Sequence, residues 1–287
     1  MPKIGILGIT ENTPTIIRKL LPTEHYEIIC WDHDDNTLAT TYPLKIAQNP
    51  FIVIAEADIL IIARNDEGCY GLVSESIFAL KPVILDNLQH FNVRELNDIY
   101  KLSIEAEIPV IPYIDPKLNE LVNYIHQIFP DGIRFVNGTI KGHPDGIKGA
   151  QPLFRIMLLI TLLFKSNILS SHAEAFYCSQ PNSPIYLYFT LSSGSAAFFY
   201  EPSNEKEVFS IDIVGKNYTH FLDLLSLDKR IDNDTETNNY YAECISSILT
   251  NKHYPEPLLN VYDLKLLIQA YRQITNIVQE RRERIEH

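Results

Sequence analysis

The chain has 287 residues, of which 46% are hydrophobic and 21% charged, a composition that fits one large or two medium globular domains. Acidic residues outnumber basic ones by 36 to 24, and the net charge of −12 argues against a nucleic-acid or anionic-membrane partner, which would require a basic face. The four cysteines, Cys30, Cys69, Cys178 and Cys244, form no C-x-x-C pair and are expected to be reduced thiols.

The sequence predicts neither a secretory leader nor a membrane-spanning helix. The amino end enters a predicted strand directly, without the charged and apolar regions of a secretory leader, so a cytoplasmic protein is the expectation. The longest apolar stretch, Leu153 to Phe164, contains Arg155 and Thr161. It is too short to span a bilayer and suits a helix packed on a sheet.

The first 35 residues contain the main functional signal. An apolar run, Lys3 to Gly8, ends in glycine and is followed by a short polar turn. Thr13 and Pro14 then predict a helix start, because a hydroxyl caps the helix and proline is favoured at its first position. A second apolar run, Glu27 to Trp31, is followed by Asp32. Strand, glycine turn, helix, strand and acid are the opening of a dinucleotide-binding βαβ unit.

The glycine fingerprint of such a unit, G-x-G-x-x-G, is incomplete. Gly8 occupies its first position, whereas Thr10 and Thr13 occupy the second and third. The second glycine lets the backbone approach a pyrophosphate closely, and a threonine side chain would stand in that space. A cofactor site and a Rossmann-type unit that binds no dinucleotide both remain open.

The rest of the first half alternates strands with helices. Strands are predicted at Ala57 to Ala63, Val83 to Leu85 and Ile108 to Tyr113, and helices at Gly71 to Leu80, Val93 to Glu107 and Pro116 to Phe129. Leu44 to Asn49 is predicted to be a short strand or helix before Pro50. Strands alternating with helices of this length predict a doubly wound parallel sheet.

The second half has a different pattern. A strand at Arg134 to Lys141 precedes an apolar helix at Gln151 to Phe164, and four short β-rich segments follow at His172 to Tyr177, Ile185 to Leu191, Ala196 to Tyr200 and Val208 to Val214. Helices are predicted at Tyr240 to Thr250 and from Leu259 to about Arg282. These elements predict an α+β domain on a mostly antiparallel sheet. The expected domains are residues 1–117 and 118–287, with the last helix a candidate to pack back on the first domain.

This order of elements resembles the Gfo/Idh/MocA family of NAD(P)-dependent oxidoreductases. Ala57 to Ala63 is similar to the family's fourth strand, and Ala79 to Leu85 to the helix end and strand that follow. Tyr240 to Leu249 followed by Asp263 to Tyr271 is similar to its closing helical pair. The resemblance implies a Rossmann-type doubly wound parallel sheet, a second α+β domain and a nicotinamide cofactor.

The resemblance also implies catalytic groups that this sequence lacks. The family carries a lysine after its fifth strand and often Asp-x-x-x-His on the helix of its second domain. The corresponding positions here are Asn87, Gln151 and Arg155. None of these moves a proton near neutral pH, and hydride transfer needs a group that does. His90 and His143 are the remaining candidates for a proton donor, and ordinary surface histidines are the alternative.

Ligands of such sheets collect at the carboxyl ends of the strands. The candidate cofactor-binding residues are Gly8, Thr10, Glu11, Asn12, Asp32, Arg64 and Asn65. Asp32 fits the acid that accepts the ribose hydroxyls, with a plain polar strand end as the alternative. Arg64 and Asn65 follow the fourth strand and could instead form a loop salt bridge. The neighbouring acids, Asp34 and Asp35, favour NAD over its 2′-phosphate. No metal site is expected at His33, since adjacent strand residues point to opposite faces.

These patterns predict an oxidoreductase-like protein of NAD(P)-binding fold, with degenerate or atypical catalysis and with NAD binding weak or lost. The alternative is a non-catalytic small-ligand-binding or regulatory module on the same fold. The predicted strands of the second domain carry an aromatic set, Tyr186, Tyr188, Phe198, Phe199 and Tyr200. The resemblance implies that this sheet forms a homodimer. Ordinary packing against the predicted helix Leu153 to Phe164 is the alternative for some of these side chains, but not for both faces at once. A small-molecule ligand is expected, and neither nucleic acid nor membrane.

Overall fold

The structure of the chain is a computed structural model. The structure describes residues 1–8, 26–32, 44–63, 68–86, 91–114, 116–142, 146–166, 168–175, 184–202, 208–223, 245, 248–249 and 260–286. The chain divides into two compact units. Unit 1 comprises Met1–Ile114 with Asn238–Lys265, and unit 2 comprises Asp115–Thr237 with Leu266–His287.

Unit 1 is built on a parallel sheet. Its strands are β1 (Lys3–Leu7), β2 (Glu27–Trp31), β3 (Lys45–Ile46), β4 (Ile59–Ile62), β5 (Val83–Leu85) and β6 (Val110–Pro112). They lie in the order β3-β2-β1-β4-β5-β6, and every neighbouring pair is parallel. This is the strand order of a dinucleotide-binding sheet, and its direction of winding reverses between β1 and β4.

The helices follow the local capping chemistry. Described helices are α1 (Pro50–Glu56), α2 (Gly68–Phe78), α3 (Val93–Ala106), α4 (Pro116–Ile128), α5 (Gly146–Phe164) and α6 (Val261–Glu286). Three of them begin after an asparagine whose side-chain oxygen accepts a hydrogen bond from a backbone N–H of the first turn. The acceptors are Asn49 for α1, Asn92 for α3 and Asn260 for α6. Asparagine is among the best residues for this position.

The core of unit 1 lies on the parallel sheet. Apart from the short, exposed edge strand β3, its strands are almost entirely apolar, as expected of strands covered on both faces. One cluster combines Ile4, Ile6, Ile28, Cys30, Ile59, Ile61, Ile84, Ile111, Ile245 and Ile248, all buried. Residues 245 and 248 come from the region after residue 238, so this later segment of the chain contributes to the core of unit 1.

The amino ends of the strands carry an ion-pair cluster. Glu56 Oε2, at the end of α1, lies 2.7 Å from Lys45 Nζ and 3.1 Å from Lys3 Nζ. Hydrogen bonds from these two lysines, first from Lys45, lower the pKa of Glu56. The charges at this edge of the sheet are therefore paired with one another, at the edge opposite to the one where ligands of such sheets bind.

Unit 2 is built on a second six-stranded sheet. Its strands are β7 (Ile133–Gly142), β8 (Ile168–Ala175), β9 (Ile185–Leu191), β10 (Ser195–Pro202), β11 (Val208–Gly215) and β12 (Thr219–Asp223). They lie in the order β12-β11-β7-β10-β9-β8. Only the β7–β10 pair is parallel, and the other four pairs are antiparallel. The predicted fold class, a parallel sheet followed by a mostly antiparallel one, is confirmed.

Several elements differ from the sequence prediction. The helix α1 and the strand β12 were not predicted. Helix α5 begins at Gly146, five positions before the predicted start at residue 151, and β8 begins at Ile168 instead of residue 172. The predicted helix that begins at Thr13 lies outside the described residues. So does most of the predicted helix at residues 240–250, of which Ile245, Ile248 and Leu249 are described as helical.

Candidate functional site

The carboxyl edge of the parallel sheet is the candidate site. The backbone N–H of Gly8 donates to Trp31 O (2.9 Å), that of Ala63 to Leu7 O (2.8 Å) and that of Asp86 to Ile62 O (2.9 Å). The N–H of Tyr113 donates to Leu85 O at 2.6 Å. Each donor is the first residue after its strand. The hydrogen bonding of the sheet thus continues one residue past the ends of β1, β4, β5 and β6. Five residues form one row across this edge. We call Asp32, Gly8, Ala63, Asp86 and Tyr113, in that spatial order, the edge row.

The middle of the edge row is occupied by small residues. Gly8 and Ala63 lie side by side at the point where the winding of the sheet reverses. Gly8 has φ of 87°, a left-handed backbone that residues with a side chain rarely adopt. Open sheets bind ligands in the crevice outside the carboxyl ends of their strands at this reversal. At this reversal the edge row therefore presents no side chain larger than the methyl group of Ala63.

The two ends of the edge row are polar. Asp32 follows β2 at one end and is partly buried. Asp86 and Tyr113 lie at the other end, directly after the neighbouring strands β5 and β6. Asp86 is 3% exposed, and it is the only charged side chain that is buried among the described residues. Three strand spacings separate Asp32 from Asp86, roughly 14 Å at about 4.8 Å per strand.

The thiol of Cys30, near the Asp32 end of the edge row, has a raised pKa. Cys30 lies on β2, two positions before Asp32, and is 5% exposed. Burial, and secondarily the charge of Asp32, raise the pKa of the Cys30 thiol to about 11. The thiol is therefore predominantly protonated at physiological pH, which disfavours a nucleophilic role.

Comparison with solved structures identifies the architecture. UDP-N-acetylglucosamine 3-dehydrogenase GnnA from Acidithiobacillus ferrooxidans superposes with a TM-score of 0.73 at 11% identity, over 98% of this chain and 99% of its own. A dehydrogenase (MviM) from Clostridium difficile superposes with a TM-score of 0.72 at 9% identity, over 96% of this chain and 99% of its own. GenD2 of gentamicin A biosynthesis, solved in complex with NAD, superposes with a TM-score of 0.64 at 8% identity, over 94% of this chain and 92% of its own. This is the Gfo/Idh/MocA oxidoreductase fold. The sequence itself matches no protein-family model and no curated protein.

Within this Gfo/Idh/MocA fold, the structure places only some of the predicted site residues. Gly8 and Asp32 both belong to the edge row. Gln151 and Arg155 lie on α5 four positions apart, and only the backbone of these two residues is described. The other candidates lie outside the described residues; these are Thr10, Glu11, Asn12, Arg64, Asn65, Asn87, His90 and His143.

Sequence reasoning did not select Asp86 as a site residue. The signal was present, because an aspartate directly after the apolar run Val83–Leu85 is a charged group at the carboxyl end of a buried strand. Aspartate is rarely fully buried without a specific reason. Its burial depends on the surrounding fold, so the pattern of this one segment did not reveal it.

Across the described ranges, no group of three or more His, Cys, Asp or Glu side chains is placed to hold a metal ion. In the same ranges, no helix combines the length and apolar character needed to cross a bilayer.

The second sheet of this Gfo/Idh/MocA fold has two unlike faces. Along β9 the odd-numbered residues from Ile185 to Leu191 are buried, while Tyr188 is 44% exposed. The exposed side carries an aromatic group. The Tyr186 ring lies 5.0 Å from that of Phe199 and 6.1 Å from that of Tyr188, measured between centroids. Phe198, which belongs to the same predicted aromatic set, is fully buried on the other side. We call the side with Tyr186, Tyr188 and Phe199 the aromatic face.

Proposed function

We propose that this protein binds a nicotinamide dinucleotide across the edge row and is an oxidoreductase-type protein with atypical or degenerate catalysis. The observation that carries the proposal is the juxtaposition of Gly8 and Ala63 at the reversal of the sheet, with a carboxylate at each side. In this arrangement the pyrophosphate of the dinucleotide would lie next to Gly8 and Ala63. GenD2, which has the same fold, was solved with NAD.

Asp32 sets the form of the dinucleotide in this proposal. It follows the second strand, where an acid accepts hydrogen bonds from the adenosine ribose hydroxyls. A carboxylate at this position repels a 2′-phosphate. NADH is therefore expected to bind more tightly than NADPH.

The catalytic part of the proposal rests on residue chemistry. The positions at which the resemblance implies a proton-transfer lysine and histidine hold Asn87, Gln151 and Arg155. An amide does not titrate near neutral pH, and a guanidinium remains protonated. Turnover by this protein would therefore use a different proton donor, or would be absent.

Titration of the pure protein with NADH, followed by its fluorescence, tests cofactor binding. Micromolar affinity supports the proposal. Asp32→Asn is expected to weaken NADH binding roughly tenfold, the size of a lost hydrogen bond to a charged group. Asp131→Asn removes an exposed carboxylate from the turn before β7 and should leave the affinity unchanged. No binding at millimolar NADH would favour the alternative, a non-catalytic module for another small ligand.

The glycine fingerprint provides a second test, based on the sequence. Thr10→Gly combined with Thr13→Gly restores the glycines of the fingerprint. If the two threonines obstruct the pyrophosphate, the double variant should bind NADH more tightly than the wild type. An unchanged or lower affinity would contradict this explanation.

We also propose that the aromatic face forms a homodimer. Partly exposed aromatic side chains that cluster on one face of a sheet are typical of surfaces that associate. Multi-angle light scattering across a concentration series measures the mass. Tyr188→Glu should shift the protein from dimer to monomer. Tyr124→Glu, on α4, changes a tyrosine of equal exposure, 44%, and should leave the dimer intact. A monomeric wild type would contradict the proposal.

A further inference from the structure

Asp86, next to the last position of the edge row, is buried. Asp86 is 3% exposed, whereas Asp32 at the other end is only partly buried. Its N–H bond to Ile62 O places Asp86 one strand from Ala63, which lies beside Gly8. A dinucleotide whose adenosine ribose lies at Asp32 has its nicotinamide on the Ala63 and Asp86 side of the row.

The two redox forms of the cofactor differ in charge at that end. The nicotinamide ring is cationic in the oxidised form and neutral in the reduced form. We propose that the Asp86 carboxylate favours the oxidised dinucleotide over the reduced one, and so sets the redox preference of the site. This inference rests on the proposed function, because it requires a dinucleotide in the crevice.

Burial decides the size of the effect. An exposed carboxylate would be screened by water and salt, whereas a buried one acts through a medium of low effective dielectric constant. Two unit charges about 10 Å apart, at an effective dielectric constant of about 20, change a binding ratio by roughly tenfold. The adenosine and pyrophosphate parts are identical in both forms. The charge of Asp86 therefore changes the ratio of the affinities for the oxidised and the reduced dinucleotide.

Calorimetric titration with NAD+, NADH and ADP-ribose isolates this effect, because ADP-ribose lacks the nicotinamide. Asp86→Asn should weaken NAD+ binding by roughly tenfold relative to NADH, and should leave ADP-ribose binding unchanged. Asp86→Glu keeps the charge and should keep the wild-type ratio. Asp32→Asn, at the adenosine end, should weaken all three ligands alike.

The outcomes separate the inference from the proposed function. A wild type that binds none of the three ligands overturns both. If the ligands bind but the ratio of NAD+ affinity to NADH affinity is the same in the wild type and in Asp86→Asn, only the inference is overturned. A purely structural role would weaken all three ligands together. If Asp86→Asn does not fold, Asp86→Ser removes the same charge with a smaller side chain, and a wild-type ratio of NAD+ to NADH affinity in that variant contradicts the inference.

Discussion

Gly5 on β1 and Ala57 at the end of α1 approach so closely that a Cβ atom on Gly5 would lie 2.8 Å from the Cβ of Ala57. The same added atom would lie 2.7 Å from Cγ1 of Val53 on α1. The glycine thus sets the distance between α1 and the strand that leads to Gly8.

Gly5→Ala is therefore expected to destabilise the protein by about 1–3 kcal/mol, the usual cost of overpacking a core. Unfolding in guanidinium chloride, monitored by circular dichroism, measures the change. Gly71→Ala is the control, because a Cβ on this helical glycine would have nothing within 4 Å. It should stabilise the protein by about 0.5–1 kcal/mol. Equal effects of the two variants would contradict the packing argument.

Three helices end with a residue other than glycine in a left-handed conformation. These residues are Leu80 after α2 (φ 56°), Glu107 after α3 (φ 54°) and Lys165 after α5 (φ 45°). At α3, the N–H of Ile108 donates to Ser103 O at 3.0 Å, which closes the helix end. Helices commonly end in this conformation, and glycine adopts it without the strain that a Cβ atom causes.

Glu107→Gly and Lys165→Gly are each expected to raise the free energy of unfolding by about 0.5–1 kcal/mol, since relief of strain exceeds the added freedom of the unfolded chain. Thermal unfolding measures the change. Lys101→Gly, on the exposed side of α3, should lower it by about 1 kcal/mol, because it places glycine in a helix interior. Destabilisation by all three variants would contradict the explanation.

Much of the fold followed from the sequence because the buried strands are continuous apolar runs. Glu27–Trp31 and Val83–Leu85 were predicted with their observed bounds. The helix α1 has only seven residues, too few for a clear periodicity, although Asn49 and Pro50 form a start signal like that of Thr13 and Pro14. The strand β12 was missed because its two apolar residues, Phe221 and Leu222, are adjacent and do not alternate with polar ones.

The candidate site was predictable only in part. Asp32 and Gly8 were selected because both belong to one short sequence pattern. Asp86 joins them only through the order of the strands, which brings residues 54 or more positions apart into one row. Local patterns do not encode that order, so the edge row required the three-dimensional structure.

His126 on α4 makes stability depend on pH. Its Nε2 atom is buried and, among the described atoms, has no hydrogen-bond partner. Burial, and secondarily the charge of Lys165, lower the pKa of the imidazole, although a hydrogen bond with the backbone of Leu162 opposes this. The unfolded chain therefore takes up a proton at a higher pH than the folded protein does. Stability from this group is present above the unfolded-state pKa of about 6.5 and is lost as pH falls below it.

His126→Gln should accordingly flatten the decline of the unfolding free energy between about pH 7.5 and pH 5. Guanidinium chloride unfolding at a series of pH values measures it. His172→Gln removes an exposed imidazole from β8 and is the matched control, with the decline expected as in the wild type. A His126→Gln variant with the wild-type pH dependence would show that this imidazole is not responsible.

Cys30 should resist alkylation in the folded protein. Its pKa of about 11, against 9.0 for an unperturbed thiol, lowers the thiolate fraction at pH 8 about a hundredfold. Its 5% exposure also restricts access of the reagent. Iodoacetamide at pH 8, followed by peptide mass spectrometry, should leave Cys30 unmodified in buffer and modify it fully in urea. Rapid labelling of Cys30 in buffer would mean that the carboxyl end of β2, and with it Asp32 of the edge row, opens readily in solution.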